Sequence, residues 1–203
     1  MKLYFTPGAC SLSPNIALRE AGLPFTLEKV DLRGKKFGAD GDGDFLAVNP
    51  KGYVPALELD DGQILTEGAV LVQWVADQVP DRKLAPPNGT MARVRLQEWL
   101  HFIATELHKG LGPLYSPTAT EEFKHTVRDR LTGRFAILDR GIGDKKFLLG
   151  DDFSVADGYA YYTLRSARKW APAALTPNLE AYAGRISERA SVRAALEAEG
   201  LAL

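Results

Sequence analysis

The sequence holds a single cysteine, Cys10, within Pro7-Gly8-Ala9-Cys10-Ser11-Leu12-Ser13-Pro14. Ser13-Pro14 reads as a helix N-cap followed by proline at the first helical position, so the thiol lies where a loop enters a helix. Partial positive charge at a helix N-terminus favours a thiolate, the reactive form of cysteine. Two readings of Cys10 stand, a reactive thiol or a small buried apolar side chain. Thr66-Glu67-Gly68 is a second group with chemistry: a carboxylate able to bind an ammonium beside helix N-terminal amides able to bind a carboxylate. A small zwitterion fits both, and so does the simpler reading in which Thr66 and Glu67 only cap a helix. Val54-Pro55 opens a strand, where proline requires a sheet edge or a cis peptide bond. An edge would leave backbone groups free to pair with an extended peptide ligand.

Metal and phosphate motifs are absent from this sequence. His101 and His108 share a helix face but lie two turns apart, about 10.5 Å along the axis, too far for joint ligation. Glu98 and His101 have the spacing of a carboxylate-bridged metal helix, but no second copy of that pair occurs on another helix. Asp40-Gly41-Asp42-Gly43-Asp44 resembles a calcium loop only in part, because Phe45 stands where glycine is required and Lys51 where the bidentate glutamate belongs. It reads as a flexible acidic loop. No glycine-rich nucleotide fingerprint is present.

The elements that must position these residues follow from the pattern. Lys2–Phe5 is β-prone, and the first helix runs to about Ala21 and stops at Gly22. Phe25–Val30 alternates as a strand, and Val54–Leu59 pairs with Gln63–Leu65 through an Asp60-Asp61-Gly62 turn. Thr66 caps a helix over Glu67–Gln78 whose Val70, Leu71, Trp74 and Val75 share one face. The second half is helical throughout, over Met91–Lys109, Glu122–Leu138 and Asn178–Arg189, with Ser154-Val155-Ala156-Asp157 as a capping box at the buried start of a central helix. Eight of the 12 prolines lie at or before Pro87, and Leu84-Ala85-Pro86-Pro87-Asn88-Gly89 interrupts both helix and strand. The expected organisation is an α/β domain over 1–80, a linker over 81–90 and an all-helical domain over 91–203.

Composition narrows the function classes. The chain of 203 residues carries 25 basic and 26 acidic side chains, a formal charge of -1, so no global field draws it to nucleic acid or to an anionic bilayer. The opening Leu3-Tyr4-Phe5 run is too short for a secretory signal, and no stretch approaches the roughly 20 apolar residues that span a bilayer. One cysteine excludes an intramolecular disulfide and suits a reducing compartment, so a cytoplasmic protein is expected.

Together these parts resemble the bacterial cytosolic glutathione S-transferases, specifically the cysteine-containing beta class. The resemblance rests on Tyr4 through Pro14, Asn49-Pro50-Lys51-Gly52-Tyr53-Val54-Pro55-Ala56-Leu57, Leu65-Thr66-Glu67-Gly68, Trp99-Leu100-His101-Phe102 and Glu106-Leu107-His108-Lys109-Gly110. It implies a thioredoxin-like glutathione-binding N-terminal domain, an all-α C-terminal domain with the electrophile pocket and dimer contacts, and a homodimer. It implies, by position, that Val54 pairs its backbone with the cysteinyl unit of glutathione before a cis Pro55, with Tyr53 alongside, and that Glu67 and Gly68 hold the γ-glutamyl end. The same resemblance implies that Lys35, or Lys36 beside it, is the counter-charge for the glycyl carboxylate, and that Thr105 with Glu106 reach toward the neighbouring subunit's ligand. By the same resemblance Cys10 would contact the glutathione sulfur and could form a mixed disulfide with it, and His108 would be the proton-transfer or hydrogen-bonding partner. Tyr115 and Trp170 are candidates for the electrophile pocket.

The chain departs from the class pattern at Asn15, where some members have histidine, and at His101, where asparagine is familiar. Gly158 stands where a bulkier residue would complete a staple with Phe153. The implied activity is conjugation of glutathione to hydrophobic electrophiles, in detoxification or aromatic catabolism, with glutathione as co-substrate and no metal. The alternatives are a monothiol disulfide reductase or peroxidase using Cys10, which has no resolving cysteine, and a non-enzymatic interaction module on the same fold.

Overall fold

The computed structural model describes residues 1–202. The chain forms two compact units, one built from Met1–Leu84 together with the residues from Arg189 onward, the other from Ala85–Glu188.

The first unit is a six-stranded sheet in the order β4-β3-β2-β1-β5-β6. β1 (Lys2–Phe5) and β2 (Thr26–Asp31) run parallel, while β3 (Lys36–Phe37), β4 (Gly43–Asp44), β5 (Ala56–Glu58) and β6 (Ile64–Thr66) add antiparallel pairs. α1 (Leu12–Ala21) crosses between β1 and β2, and Gly22 ends it at φ 69° with its amide returned to the Arg19 and Leu18 carbonyls. α2 (Phe45–Val48) is a single turn, and α3 (Gly68–Asp77) follows β6. Tyr4, Val30 and Ala56 of the strands form a buried cluster with Phe45 and Val54. Phe37 meets the Tyr4 ring edge-on at 5.2 Å.

Several sequence expectations are corrected in this unit. The acidic segment is not a bare loop: β3 and β4 form a short pair there, and a Cβ on Gly43 would sit 2.7 Å from the Phe37 ring. α1 begins at Leu12 with Ser11 at the cap position, so Pro14 falls in the first turn, where an N–H has no helical partner in any case. Thr66 does not cap α3 but ends β6, and Glu67 occupies the cap position without a side-chain cap bond. The buried face of α3 is Leu71, Val72, Val75 and Ala76, with Val70 left exposed, because this is the face that meets α1. The Val54–Pro55 bond is cis, and β5 has β1 and β6 on its two sides, so the edge-strand alternative falls.

The second unit is helical. Thr90 accepts from the Arg93 amide to start α4 (Met91–Phe102), which widens into a π-type turn over Ile103–His108 and continues as α5 (Lys109–Leu111). The unit is completed by α6 (Glu121–Ile142), α7 (Val155–Trp170) and α8 (Pro177–Ser187). Gly141 on α6 is required where it stands, since a Cβ would lie 2.1 Å from the Trp99 ring on α4. α7 is buried along most of its length and starts at the Ser154–Asp157 capping box. Asp157 Oδ2 accepts from the Ser154 amide and hydroxyl, both at 2.8 Å, and Oδ1 accepts from the Leu148 amide and the Tyr182 hydroxyl. Gly158 offers no side chain to complete a staple, and Phe153 packs edge-on against Phe147 at 5.7 Å.

The last helix, α9 (Ala190–Ala198), differs from the expected 91–203 helical domain. Its buried Val192, Ala195 and Leu196 complete the first unit, where α9 packs on α1.

Asp157 satisfies four donors inside the helical unit, so Asp157→Ala strands buried N–H and O–H groups. The expected cost is about 3 to 5 kcal/mol in chemical denaturation, against a smaller loss for Ser154→Ala, which leaves the carboxylate with its other donors.

Candidate functional site

In the first unit the loop from β1 to α1 carries Cys10. Ser11 ties the loop's ends, accepting from the Thr6 amide at 3.2 Å and donating to the Thr6 carbonyl at 3.3 Å. Gly8, at φ 73°, turns its amide to Glu199 Oε2 at 3.0 Å, and Asn15 Nδ2 donates to Glu199 Oε1 at 3.0 Å. Asn15 Oδ1 in turn accepts from Arg19 Nε at 2.9 Å. Cys10 is partly exposed, and its thiol donates to the Val54 carbonyl at 3.2 Å. Cys10 and Val54 are thus brought together from positions 44 residues apart.

The segment before Val54 is fixed by its own polar groups. Asn49 Nδ2 donates to the Tyr53 carbonyl at 2.7 Å, and Gly52, at φ 66°, returns its amide to Asn49. Lys35 Nζ donates to the Gly52 carbonyl at 2.7 Å and lies 5.6 Å over the Tyr53 ring, which is 64% exposed. Lys36 belongs to β3. Lys35 is thereby joined to the Gly52–Tyr53 turn by observed contacts. Glu67 stands at φ 67°, ψ 106° before Gly68, and Lys51 Nζ contacts its Oε1 at 2.7 Å.

The second unit carries the other candidates. His108 Nδ1 shares a 2.8 Å hydrogen bond with the Tyr159 hydroxyl, and the ring meets Tyr159 and Tyr162 edge-on. Burial, aided by the nearby Lys109 cation, pushes its pKa down to about 4, so the imidazole is neutral near pH 7. A neutral ring at that pH is a hydrogen-bonding group rather than a stored proton. Thr105 donates its hydroxyl back to the His101 carbonyl at 2.9 Å. Glu106 is held by Arg134 at 2.7 Å and Arg130 at 3.2 Å, a pairing the sequence gave no reason to expect. Tyr115 and Trp170 do meet, edge to face at 5.4 Å, with Lys169 Nζ 5.0 Å over the indole. Among the described residues no group of three or more His, Cys, Asp or Glu side chains could hold a metal ion.

Three residues with a part in this geometry carried no functional signal in the sequence. Tyr159 sits 51 positions from His108, Glu199 sits 184 positions from Asn15, and Lys51 belongs to a motif but has no spacing that points to Glu67.

Comparison with known proteins gives this arrangement its family. Residues 8–78 match the family model "Glutathione S-transferase, N-terminal domain" and residues 102–190 match "Glutathione S-transferase, C-terminal domain". The chain is 47% identical to glutathione S-transferase GstA of Escherichia coli O157:H7, covering 99% of this chain and 100% of that protein. The chain belongs to the glutathione S-transferase family. Within it, the beta class glutathione S-transferase of Sphingomonas chungbukensis is similar at 46% identity and a TM-score of 0.93, with 100% of each chain covered. A sphingomonad glutathione S-transferase solved in complex with glutathione is similar at 44% identity and a TM-score of 0.90, also over 100% of each chain.

Because the folded-state pKa of His108 is depressed, the fold favours the neutral ring and its contribution is fully present above about pH 6.5. That contribution is lost as pH falls from about 6.5 towards 4, to a total of about 3 kcal/mol. The stability difference between wild type and His108→Gln, followed by denaturation at each pH, should shrink by about this amount over that window.

Proposed function

We propose that this glutathione transferase binds glutathione on its first unit and directs the glutathione thiolate at a hydrophobic electrophile. Supporting the reading, that unit offers a group for each part of the tripeptide. The Val54 backbone lies beside the Cys10 thiol, Lys35 and Tyr53 lie on the turn before it, and Glu67 and Gly68 stand at the start of α3. Cys10 against the Val54 carbonyl is the observation that carries it, since that carbonyl and a thiol donor mark where the cysteinyl unit would pair. Pro55 follows as the cis residue that begins β5's approach.

In the proposed reaction glutathione loses its thiol proton to solvent and the sulfur attacks an electrophilic carbon. The new C–S bond forms as a halide or other leaving group departs with its bonding electrons, or as an epoxide C–O bond opens. A thiol is mostly protonated near neutral pH, so neighbouring donors that stabilise the thiolate raise the reactive fraction. Cys10 acts as a donor or mixed-disulfide partner in this scheme and is not the attacking group. His108, neutral, serves as a hydrogen-bonding partner. Thr105 and Glu106 act toward the ligand of a second subunit, and Tyr115 with Trp170 offers aromatic faces to an apolar substrate. The enzyme works as a homodimer in the cytoplasm, and no helix of the described residues is long and apolar enough to cross a membrane. Light scattering should return twice the 22.2 kDa chain mass.

Conjugation of a chlorinated nitroaromatic, followed by thioether absorbance, should persist in Cys10→Ala within about tenfold, while any glutathione-dependent disulfide reduction is lost. Loss of both activities would make Cys10 itself the nucleophile, and failure of the wild type to bind immobilised glutathione would leave only an interaction module.

A further inference from the structure

Lys51 follows Pro50 in the turn that leads to Val54, and its ammonium reaches across to the start of α3. It lies 2.7 Å from Glu67 Oε1 and 3.0 Å from the Thr66 hydroxyl oxygen. The two charged side chains are 52% and 66% exposed, and an ion pair that open adds little to stability. Yet Glu67 is held at φ 67°, ψ 106°, a backbone region costly for any residue with a Cβ and concentrated at functional sites. Little stabilisation is returned for the strain, so the placement of the charges is the better explanation of the arrangement.

The hydrogen-bonding capacity at this point is unevenly used. A lysine ammonium has three donors, and Lys51 spends two of them on Glu67 Oε1 and Thr66 Oγ1. One donor is left over. Glu67 Oε2 accepts from no group among the described residues. An open acceptor therefore stands next to an open cationic donor, the two fixed to each other by the ion pair. An α-amino acid carries the complementary pair, an ammonium and a carboxylate on one carbon.

We infer that Lys51 is a specificity-determining residue for the γ-glutamyl end of glutathione: Glu67 Oε2 accepts from the ligand ammonium while Lys51 Nζ donates to the ligand α-carboxylate. The inference rests on the glutathione reading above and adds a residue to it. The Gly68 amide, at the head of α3, supplies a neutral donor to the same carboxylate. Lys51 supplies the charge that the helix end lacks, which makes the ion pair a clamp for a zwitterion rather than for a simple amine.

Calorimetric titration of the full-length wild type, Lys51→Met, Lys51→Arg and Glu67→Gln with two ligands tests this. One ligand is glutathione; the other replaces its γ-glutamyl residue by γ-aminobutyryl, which keeps the ammonium and lacks the α-carboxylate. Lys51→Met should bind glutathione about 10-fold more weakly than wild type, and Lys51→Arg should recover most of the loss. Wild type and Lys51→Met should bind the analogue equally within about twofold, because the partner of Lys51 is missing from it. Equal weakening of both ligands by Lys51→Met would reduce Lys51 to a structural support and overturn the inference. Unchanged glutathione affinity in Lys51→Met, with Glu67→Gln weakened, would also overturn it while leaving the glutathione reading intact. A wild type that binds neither ligand would remove both.

Discussion

The loop that carries Cys10 is held from the other end of the chain. Glu199, 5% exposed just past α9, takes the Gly8 amide on one oxygen and the Asn15 side chain on the other, so one carboxylate bridges the loop and the first turns of α1. At the opposite end of α9, Arg189 and Ser191 converge on Glu20 near the end of α1. Two antiparallel anchors thus fix α9 along α1, with Val192, Ala195 and Leu196 buried between them. A hydrogen bond to a charged group contributes about 1.5 to 3 kcal/mol, and a buried carboxylate stripped of its donors costs more. The position of the thiol therefore depends on a helix that sequence order assigns to the helical half.

The helical unit uses the same device. Asp157 is buried at the start of α7, and burial raises its pKa against the opposing pull of the Leu148, Ser154 and Tyr182 donors. Four donors on two oxygens approach the capacity of the group, which makes α7 register with the Phe147–Leu148 segment and with α8 at one point. His108 is the contrasting case. Its ring hydrogen-bonds Tyr159, and burial, aided by the Lys109 cation, outweighs that bond so that the imidazole is neutral near pH 7.

What could be read from the sequence was local. Gly22 ends α1 because only a left-handed residue lets the amide return to the helix carbonyls, and that requirement is visible as a glycine after an apolar run. The Asp60-Asp61-Gly62 turn and the Ser154–Asp157 box are likewise three- or four-residue patterns whose partners are their own neighbours. The strands β3 and β4 escaped because two residues each give no alternation, and their reason to exist is the Phe37 ring lying on Tyr4. Thr66 was a plausible cap by type, but the sheet claimed it for pairing with Ala56 and moved the helix start by one residue. The family motifs named candidate site residues as a set, whereas the contacts of Glu199 with Asn15, Tyr159 with His108 and Lys51 with Glu67 come only from the fold.

Charge placement separates the buried carboxylates that hold each unit together from the exposed charges that add little to stability. Glu199 and Asp157 are buried and hydrogen-bonded on both carboxylate oxygens, and their removal would be felt throughout their units. Lys35, Lys51 and Glu67 are held at the surface by one or two polar contacts each, and two of them, Lys35 and Glu67, have positive φ. Exposed ion pairs of this kind contribute about 0 to 1 kcal/mol to folding, less than a strained backbone residue can cost at about 1 to 3 kcal/mol. Folding stability alone would not keep these charges where they are. A small ligand with an ammonium, a thiol and two carboxylates would, because it meets each of them only if the turns that carry them are already set.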